Sequence, residues 1–335
     1  MSIMLRYRTL RGQVQRKFST LLPSVARIVE VGPRDGLQNE KSAIDLEVKL
    51  GLIERLSRTG LRNIEAGSFV SSKWVPQMAS SDKIFERIRE EKRNGLGSWA
   101  TGITYSGLTP NMKGLDTALT SGAEEVAVFG AASEAFSQKN INCSIDESME
   151  RFRPVAKAAL DAGVKVRGYV SCVLGCPYGG PIQPRIVEDV TLRLLEMGCY
   201  EISLGDTIGV GTPGSTATLL GLLLKNKNIP VEKLAVHFHD TYGQALANIY
   251  VALQHGINVI DSSVSGLGGC PYAAGASGNV STEDVLYMLH GLGIETGVDM
   301  DKLLVASHYI DTALNRNTGS KVAAAVGGSA QKQKL

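Results

Sequence analysis

Eight short β-rich runs, each followed by a stretch with helical spacing, constrain the fold of this chain most strongly. Such alternation is typical of parallel strands joined by crossover helices. The chain has 335 residues and no Pro- or Ser-rich linker, so the eight units predict a single closed (β/α)₈ TIM barrel in the α/β class rather than two domains. The predicted strands are residues 26–31, 63–66, 97–103, 125–129, 165–170, 201–204, 234–238 and 259–263.

Helical spacing fills the intervals between these strands. Several of the predicted helices end in a glycine, such as Gly60 or Gly122, which suits a left-handed residue after a helix. An open doubly wound sheet is the alternative, but no G-x-G-x-x-G opens a helix after the first strand. The predicted helices are 43–58, 81–92, 114–121, 145–162, 184–197, 212–226 and 243–255, with additional C-terminal helices from about residue 282, at 283–292 and 302–315, before a Gly/Ala-rich tail.

Polar residues with catalytic chemistry are found at or near the ends of the predicted strands. In a TIM barrel the active site lies at the C-terminal ends of the strands, where the loops gather. We therefore expect these side chains to surround one site. They are Arg34 and Asp35 after the first strand, Glu65 in the second, Asp206 after the sixth, and His237 and His239 at the seventh.

Two histidines directly follow the apolar run 234–236 and so are placed at a strand end. Residues two apart on a strand point to the same side, which aims the imidazoles of His237 and His239 at one spot. An H-x-H taken alone is equally typical of two structural histidines, and Asp35 taken alone is typical of a turn or helix cap. Together, one carboxylate and two imidazoles suit a divalent cation that also holds a substrate.

A glycine-rich loop, residues 266–279, contains five glycines together with Cys270 and Asn279. Such a loop is mobile or brings its backbone close to a ligand. It lacks the Lys-Ser/Thr ending of a phosphate-binding P-loop, so we expect a lid that carries a reactive Cys270 over the barrel mouth. A cysteine that only fills space in a loop is the simpler alternative. Zinc would fit the two histidines, whereas ligation by an oxygen of Asn279 favours Mg²⁺ or Mn²⁺.

Composition excludes several classes of function. Hydrophobic residues make up 43% and charged residues 20% of the chain, which is typical of globular proteins. No apolar run approaches the roughly 20 residues of a membrane span. A net charge of +2 without a basic stripe indicates no nucleic-acid partner. Five cysteines, an odd number, in a chain without a secretory signal indicate reduced thiols in an intracellular compartment.

Residues 1–24 have the composition of an organellar transit peptide, and residues 25–335 are predicted to form the single catalytic domain. No acidic residue precedes Glu30, and serines are frequent, as in such peptides. A disordered basic tail is the alternative. Cleavage near residue 24 would remove five positive charges and take the net charge from +2 to −3. The five basic residues are Arg6, Arg8, Arg11, Arg16 and Lys17.

These segments, taken together, resemble the 3-hydroxy-3-methylglutaryl-CoA (HMG-CoA) lyase family over roughly residues 25–321. Related condensing synthases share the Arg-Asp-Gly and His-x-His elements, but they typically lack the Cys270 loop and carry extra C-terminal domains. That loop is therefore the most specific part of the resemblance. The matching segments are 30–40, 65–71, 74–78, 130–134, 203–213, 237–244 and the loop 266–279.

The resemblance implies an enzyme that cleaves HMG-CoA to acetyl-CoA and acetoacetate, as in ketone body formation and leucine degradation. It implies that Arg34 binds the substrate and assists catalysis, and that Cys270 is a catalytic acid/base. Asp206 and Glu65 match active-site residues of less settled role, and Asn315 would contact coenzyme A. A divalent cation, Mg²⁺ or Mn²⁺, would be bound by Asp35, His237, His239 and Asn279.

The implied reaction agrees with these residue types. Retro-Claisen cleavage needs the tertiary hydroxyl deprotonated, the carbon–carbon bond broken and the departing thioester enolate protonated. A cation lowers the pKa of the hydroxyl, and Arg34 can stabilise charge on the thioester oxygen. Because a cation-bound histidine cannot use its ligating nitrogen for proton transfer, we favour Asp206 as the base and Cys270 as the proton donor to carbon.

The resemblance further implies a mitochondrial matrix enzyme and a homodimer. The ending Gln333-Lys334-Leu335 is only a weak version of the peroxisomal S-K-L signal. Gln333 also stands where the family often has a cysteine linked to thiol control between subunits. Two other functions remain as alternatives: an acyl-CoA condensing synthase on the same barrel, and a metal-dependent binding protein without catalysis.

Overall fold

The computed structural model describes residues 22–40, 42–95, 97–269 and 278–332, and eight parallel strands run through them. Each strand pairs with the next along the chain, and the first closes on the eighth, with Glu30 opposite Ser262. The predicted TIM barrel is confirmed. The strands are β1 Arg27–Glu30, β2 Asn63–Ser68, β3 Thr104–Leu108, β4 Glu125–Ala131, β5 Lys165–Ser171, β6 Glu201–Asp206, β7 Leu234–Phe238 and β8 Val259–Ser262.

Helices pack around the outside of the barrel. In the first of them the side chains of Lys49, Leu52, Ile53 and Leu56 are buried, a spacing that places them on one helical face toward the strands. The helices are α1 Leu46–Ser57, α2 Ser81–Arg93, α3 Met112–Ser121, α4 Glu134–Ile141, α5 Ile145–Asp161, α6 Pro184–Glu196, α7 Pro213–Leu223, α8 Ala245–Gln254, α9 Thr282–Gly291, α10 Met300–Ala313 and α11 Lys321–Lys332.

The predicted third strand is wrong in position. Residues 97–103 form turns in which Gly97 and Gly102 have φ angles of 102° and 78°, values that a pleated strand does not allow. Ala100 and Ile103 are nevertheless buried, so the apolar run packs into the core without pairing. The strand starts at Thr104, directly after the predicted segment.

The C-terminal helices are confirmed, since α9 and α10 begin within two residues of their predicted starts. The α10 helix packs against α1, where Arg55 lies over the ring of Tyr309 at 3.8 Å. Two helices were not predicted: α4, which Ser133 caps by accepting from the N–H of Phe136, and α11 in the Gly/Ala-rich tail. Within the described residues, no helix is both long and apolar enough to cross a membrane.

Charged side chains lie inside the barrel rather than on its surface. Arg167 of β5 donates to Glu201 of β6 at 2.8 Å and to Asp261 of β8 at 2.7 Å. Because β5 and β8 are not neighbours in the sheet, the contact to Asp261 crosses the barrel interior. This polar layer holds three strands in fixed relative positions, and it extends from Glu201 at the start of β6 to Asp261, which lies opposite His237 in the sheet.

Candidate metal and active site at the barrel mouth

The turn after β1 presents two of the predicted site residues. The five residues Gly32–Gly36 form a single π-helical turn, in which the N–H of Asp35 donates to the carbonyl of Val31 at 2.8 Å. A Cβ on Gly36 would lie 2.7 Å from a side chain of the loop after β8, so the glycine lets the two loops pack closely. Arg34 and Asp35 therefore point into the mouth of the barrel beside that loop.

Asp35, His237 and His239 converge at this mouth. One ligand atom from each side chain lies within 4.8 Å of the other two, and Nε2 of His237 is 3.8 Å from Oδ2 of Asp35. His237 is in β7, while His239 follows the last residue of that strand. The two imidazole centroids are 5.4 Å apart, as the alternation of side chains at the strand end predicted.

Asn279 joins this group from the other side of the glycine-rich loop. Its backbone pairs with that of His239, and its amide nitrogen donates to Oδ2 of Asp35 at 2.8 Å and to the carbonyl of Leu267 at 3.2 Å. Ligation of a cation by the amide oxygen requires the amide to turn about its last torsion, which is a soft rotation. Asn279 thus lies beside the predicted cation ligands.

The protonation states of two of these groups suit cation binding. Burial opposes the charge of Asp35, but Arg34 and both histidines lower the pKa of its carboxyl to about 2. Burial and the neighbouring His237 lower the pKa of His239 to about 4. Near neutral pH the carboxylate is therefore ionised and the His239 imidazole neutral, the forms that bind metals.

The donor set fits a divalent cation. Among the described residues Nδ1 of His239 is buried without a hydrogen-bond partner, which is costly unless something supplies a partner. One carboxylate, two imidazoles and a nearby amide match the mixed nitrogen and oxygen ligands of magnesium, manganese or zinc sites. Asp35, His237 and His239 would hold the ion, with Asn279 beside them.

Arg34 is held rigidly next to these ligands. Its Nε donates to Oε2 of Glu65 at 2.7 Å, its Nη1 donates to Oδ1 of Asp35, and its guanidinium lies 5.7 Å from the ring centroid of Tyr169. Burial opposes the charge, but Glu65 and Asp35 raise the pKa of Arg34, so the group stays cationic. The contact of Glu65 with Arg34 orients the guanidinium and explains why a carboxylate is buried in β2.

Asp206 is the last residue of β6, not a residue after it. The N–H of Gly211 donates to its Oδ2 at 2.8 Å, and within the described chain Oδ1 is buried without a partner. Burial outweighs the backbone hydrogen bonds and raises the pKa of Asp206 to about 6. Such a carboxylate is ionised at neutral pH yet basic enough to accept a proton.

Two predicted residues are not placed among these contacts. Cys270 lies outside the described residues, although the N–H of Gly278 donates to the carbonyl of Gly268 at 3.0 Å and so brings the two flanks of its loop together. Asn315 is exposed after α10 with a φ of 48°. Its neighbour Arg316 reaches Glu40 of the β1 loop at 3.5 Å, which places this segment beside the barrel mouth.

The charged residues inside the barrel were not predicted from the sequence. Asp261 of β8 accepts from Arg167 and lies 3.3 Å from Nδ1 of His237. Asp261 follows the apolar pair Val259-Ile260, and Arg167 follows Val166 in the buried part of β5. A charge in the middle of a buried strand is the signal that would have found them, because such a charge needs a partner.

Known proteins are similar to this chain over nearly its whole length. The family model described as HMGL-like matches residues 26–310. The mitochondrial hydroxymethylglutaryl-CoA lyase of Bos taurus is 60% identical over 303 residues, 90% of each chain. This chain belongs to the HMG-CoA lyase family. The cytoplasmic 3-hydroxy-3-methylglutaryl-CoA lyase of Danio rerio is 59% identical over 91% of this chain and 88% of that protein.

A solved structure extends the agreement to the fold. The crystal structure of hydroxymethylglutaryl-CoA lyase from Pseudomonas aeruginosa is 58% identical, covers 92% of this chain and 99% of its own, and superposes with a TM-score of 0.87. The family indicated by the sequence motifs is therefore confirmed. The assignment to HMG-CoA lyases also sets aside the condensing synthases and a binding protein without catalysis.

Proposed function

We propose that this lyase cleaves HMG-CoA to acetyl-CoA and acetoacetate, with a divalent cation at Asp35, His237, His239 and Asn279. The observation that carries the proposal is the convergence of Asp35 and the two histidines within 4.8 Å at the barrel mouth, next to a buried arginine and a buried carboxylate. The similarity to HMG-CoA lyases along nearly the whole chain supports the choice of substrate.

When bound, the cation supplies charge that lowers the pKa of the substrate's tertiary hydroxyl and orients that group. Mg²⁺ or Mn²⁺ is the proposed ion, since carboxylate and amide oxygens suit both. Asp35, the two histidines and Asn279 would supply four ligands, fewer than the six of an octahedral site, so the chain itself leaves room for substrate oxygens. This is the arrangement expected of a site that binds cation and substrate together.

Asp206 is the proposed base. Its carboxylate accepts the hydroxyl proton, and the oxygen's electron pair forms the ketone of acetoacetate. The bond between the third carbon and the thioester's methylene then breaks, and its electrons form the thioester enolate. Arg34, fixed by Glu65, stabilises the negative charge on the thioester oxygen.

Cys270 completes the reaction as the proposed acid. Its thiol donates a proton to the enolate carbon, which yields acetyl-CoA. The described flanks of the loop 266–279 support this role, because Gly268 packs against Asn279 beside the proposed cation ligands. Asn315, beside the same mouth, is the proposed contact for coenzyme A.

The cellular setting is proposed from the relatives and from the N-terminal composition. Similar lyases are named both mitochondrial and cytoplasmic. An acid-free, Arg-rich segment at residues 1–24 favours import into the mitochondrial matrix, with a role in ketone body formation and leucine degradation. A homodimer is proposed as the assembly.

One assay tests the proposal. Purified protein with HMG-CoA and Mg²⁺ is expected to release acetoacetate, and removal of the cation with a chelator to stop it. Cys270→Ala is expected to lose activity by about 10²- to 10⁴-fold, the usual effect of a missing acid or base. Cys199→Ala is the matched control, since Cys199 is buried just before β6 at the opposite end of the barrel. A folded, metal-loaded protein without product would overturn the proposal.

A further inference from the structure

The carboxylate of Asp261 contacts the ring of His237, one of the two predicted histidine ligands. Oδ2 of Asp261 lies 3.3 Å from Nδ1 of His237, and the opposite ring nitrogen, Nε2, lies 3.8 Å from Oδ2 of Asp35. The side chain of Asp261 is fully buried. The imidazole is thus held between a carboxylate inside the barrel and a carboxylate at the mouth.

Asp261 is itself fixed from three directions. Arg167 donates from Nη2 to Oδ1 at 2.7 Å and from Nη1 to Oδ2 at 3.1 Å, and the hydroxyl of Ser203 donates to Oδ2 at 2.7 Å. Nε of Arg167 is anchored in turn on Glu201 at 2.8 Å. These partners come from β5 and β6, so Asp261 cannot turn away from the ring without breaking a buried bidentate pair.

These contacts decide which nitrogen of His237 carries the proton. A guanidinium and a hydroxyl both donate to Asp261, so its carboxylate acts as an acceptor, and the remaining contact at Oδ2 needs a donor. Nδ1 of neutral His237 must then be protonated, which leaves the lone pair on Nε2 facing Asp35. In the described part of the chain, His239 has no such carboxylate at its own Nδ1.

We propose that Asp261 is a positioning residue that sets the tautomer and the orientation of His237, so that Nε2 is presented to the cation. Carboxylates that accept from the free nitrogen of a ligating histidine are a general device for fixing ring orientation and raising ligand basicity. The inference rests on the proposed cation site. If it holds, the affinity of that site for the cation depends on the polar layer inside the barrel.

Asp261→Asn is a sharp test because an amide has one acceptor and one donor end. Asp261 now accepts at both oxygens, from Nη2 of Arg167 at Oδ1 and from Nη1 of Arg167 and Ser203 at Oδ2, and an amide can accept at only one of the two positions. The amide is also neutral in either orientation, so Nδ1 of His237 loses the anionic acceptor that fixes its proton and raises the basicity of Nε2. Ser203→Ala is the matched control, since it removes a hydrogen bond to the same oxygen but leaves the partner of His237 in place.

Mn²⁺ affinity, measured by titration calorimetry on the full chain, is the first readout. Asp261→Asn is expected to weaken Mn²⁺ binding by roughly 10- to 100-fold, the usual effect of losing such a partner, whereas Ser203→Ala is expected to bind Mn²⁺ nearly as tightly as wild type. Equal affinities in wild type and Asp261→Asn would overturn this inference and leave the proposed reaction intact. A wild-type protein that binds neither Mn²⁺ nor Mg²⁺ would overturn the proposed cation site, and this inference with it.

The tautomer is the second readout, and it does not depend on the stability of a variant. ¹⁵N spectra of the metal-free wild-type protein labelled at histidine are expected to show His237 protonated at Nδ1, with the signal assigned by its loss in His237→Asn. A neutral wild-type ring that carries its proton at Nε2 instead of Nδ1 would overturn the inference. If Asp261 had only a structural role, Asp261→Asn would change the melting temperature but would alter neither the tautomer of His237 nor the affinity for Mn²⁺.

Discussion

At the scale of single residues, the proposed base Asp206 is the last residue of β6. Its Oδ1 has no partner in the described chain, and burial raises its pKa to about 6. A base must be ionised to act, so the wild-type kcat/KM is expected to decline as pH falls through about 6. The sign follows because the protonated acid, favoured at low pH, cannot accept the hydroxyl proton.

Asp206→Asn is expected to lower kcat/KM by about 10²- to 10⁴-fold, since an amide has no comparable basicity. The decline of kcat/KM at low pH, the acidic limb of the profile, should disappear in this variant. Measuring kcat/KM between about pH 5 and 9 checks both expectations. Asp161→Asn, at the exposed end of α5, is the control and should keep the wild-type profile. If Asp206→Asn kept the wild-type kcat/KM and the same decline of kcat/KM at low pH, Asp206 would not be the base.

At the scale of elements, the C-terminal tail becomes a helix because another helix caps it. The carboxylate of Asp284 in α9 accepts from the hydroxyl of Ser320 at 2.9 Å and from the N–H groups of Lys321 at 3.1 Å and Val322 at 2.9 Å. Free N–H groups at a helix start need such partners. The Gly/Ala-rich composition of the tail did not predict this helix. The capping carboxylate is 36 residues away from Ser320 in the chain, so no local pattern indicates it.

Asp284→Ala is expected to destabilise the start of α11 by about 0.5–2 kcal/mol, the usual range for a lost cap. Hydrogen exchange of the amides of residues 320–326 should therefore become faster. Asp299→Ala removes the cap of α10 instead and should speed exchange near residue 301 while leaving α11 unchanged. Unaltered exchange at 320–326 in Asp284→Ala would show that α11 does not depend on this carboxylate.

The other elements differ in how well the sequence predicted them. Seven strands and most helices follow their apolar periodicity, because burial on one face repeats with the period of the element. The third strand was misplaced because residues 97–103 are apolar enough for a strand but contain left-handed glycines at Gly97 and Gly102. The π-helical turn Gly32–Gly36 has no periodic signal, since it is stabilised by close packing against the β8 loop.

At the scale of the whole molecule, the proposed cation site links distant parts of the chain. Asp35 after β1, His237 in β7 and Asn279 before α9 meet at one end of the barrel. A cation that binds only this folded arrangement stabilises it, by about 2.7 kcal/mol at a hundredfold excess over its Kd. Mn²⁺ is therefore expected to raise the melting temperature by several degrees.

Thermal melts with and without Mn²⁺ check this expectation. Asp35→Ala removes a ligand and should abolish the shift, whereas Asp116→Ala, on the exposed face of α3, should retain it. The comparison uses the shift rather than the melting temperature itself, so a general loss of stability in Asp35→Ala does not affect the result. The same shift in both variants would place the Mn²⁺ site elsewhere on the protein.

The alternating strands and helices and the residues at the strand ends could be predicted from the sequence, because side-chain alternation and the position of a loop are local properties. His237, His239 and Asp35 could be placed at one mouth for this reason, once the barrel was recognised. That Asp261 and Arg167 lie behind His237 became clear only from the folded barrel. The contact of Arg167 with Asp261 crosses the barrel interior between strands that are far apart in the chain, and no local pattern records which buried charges meet.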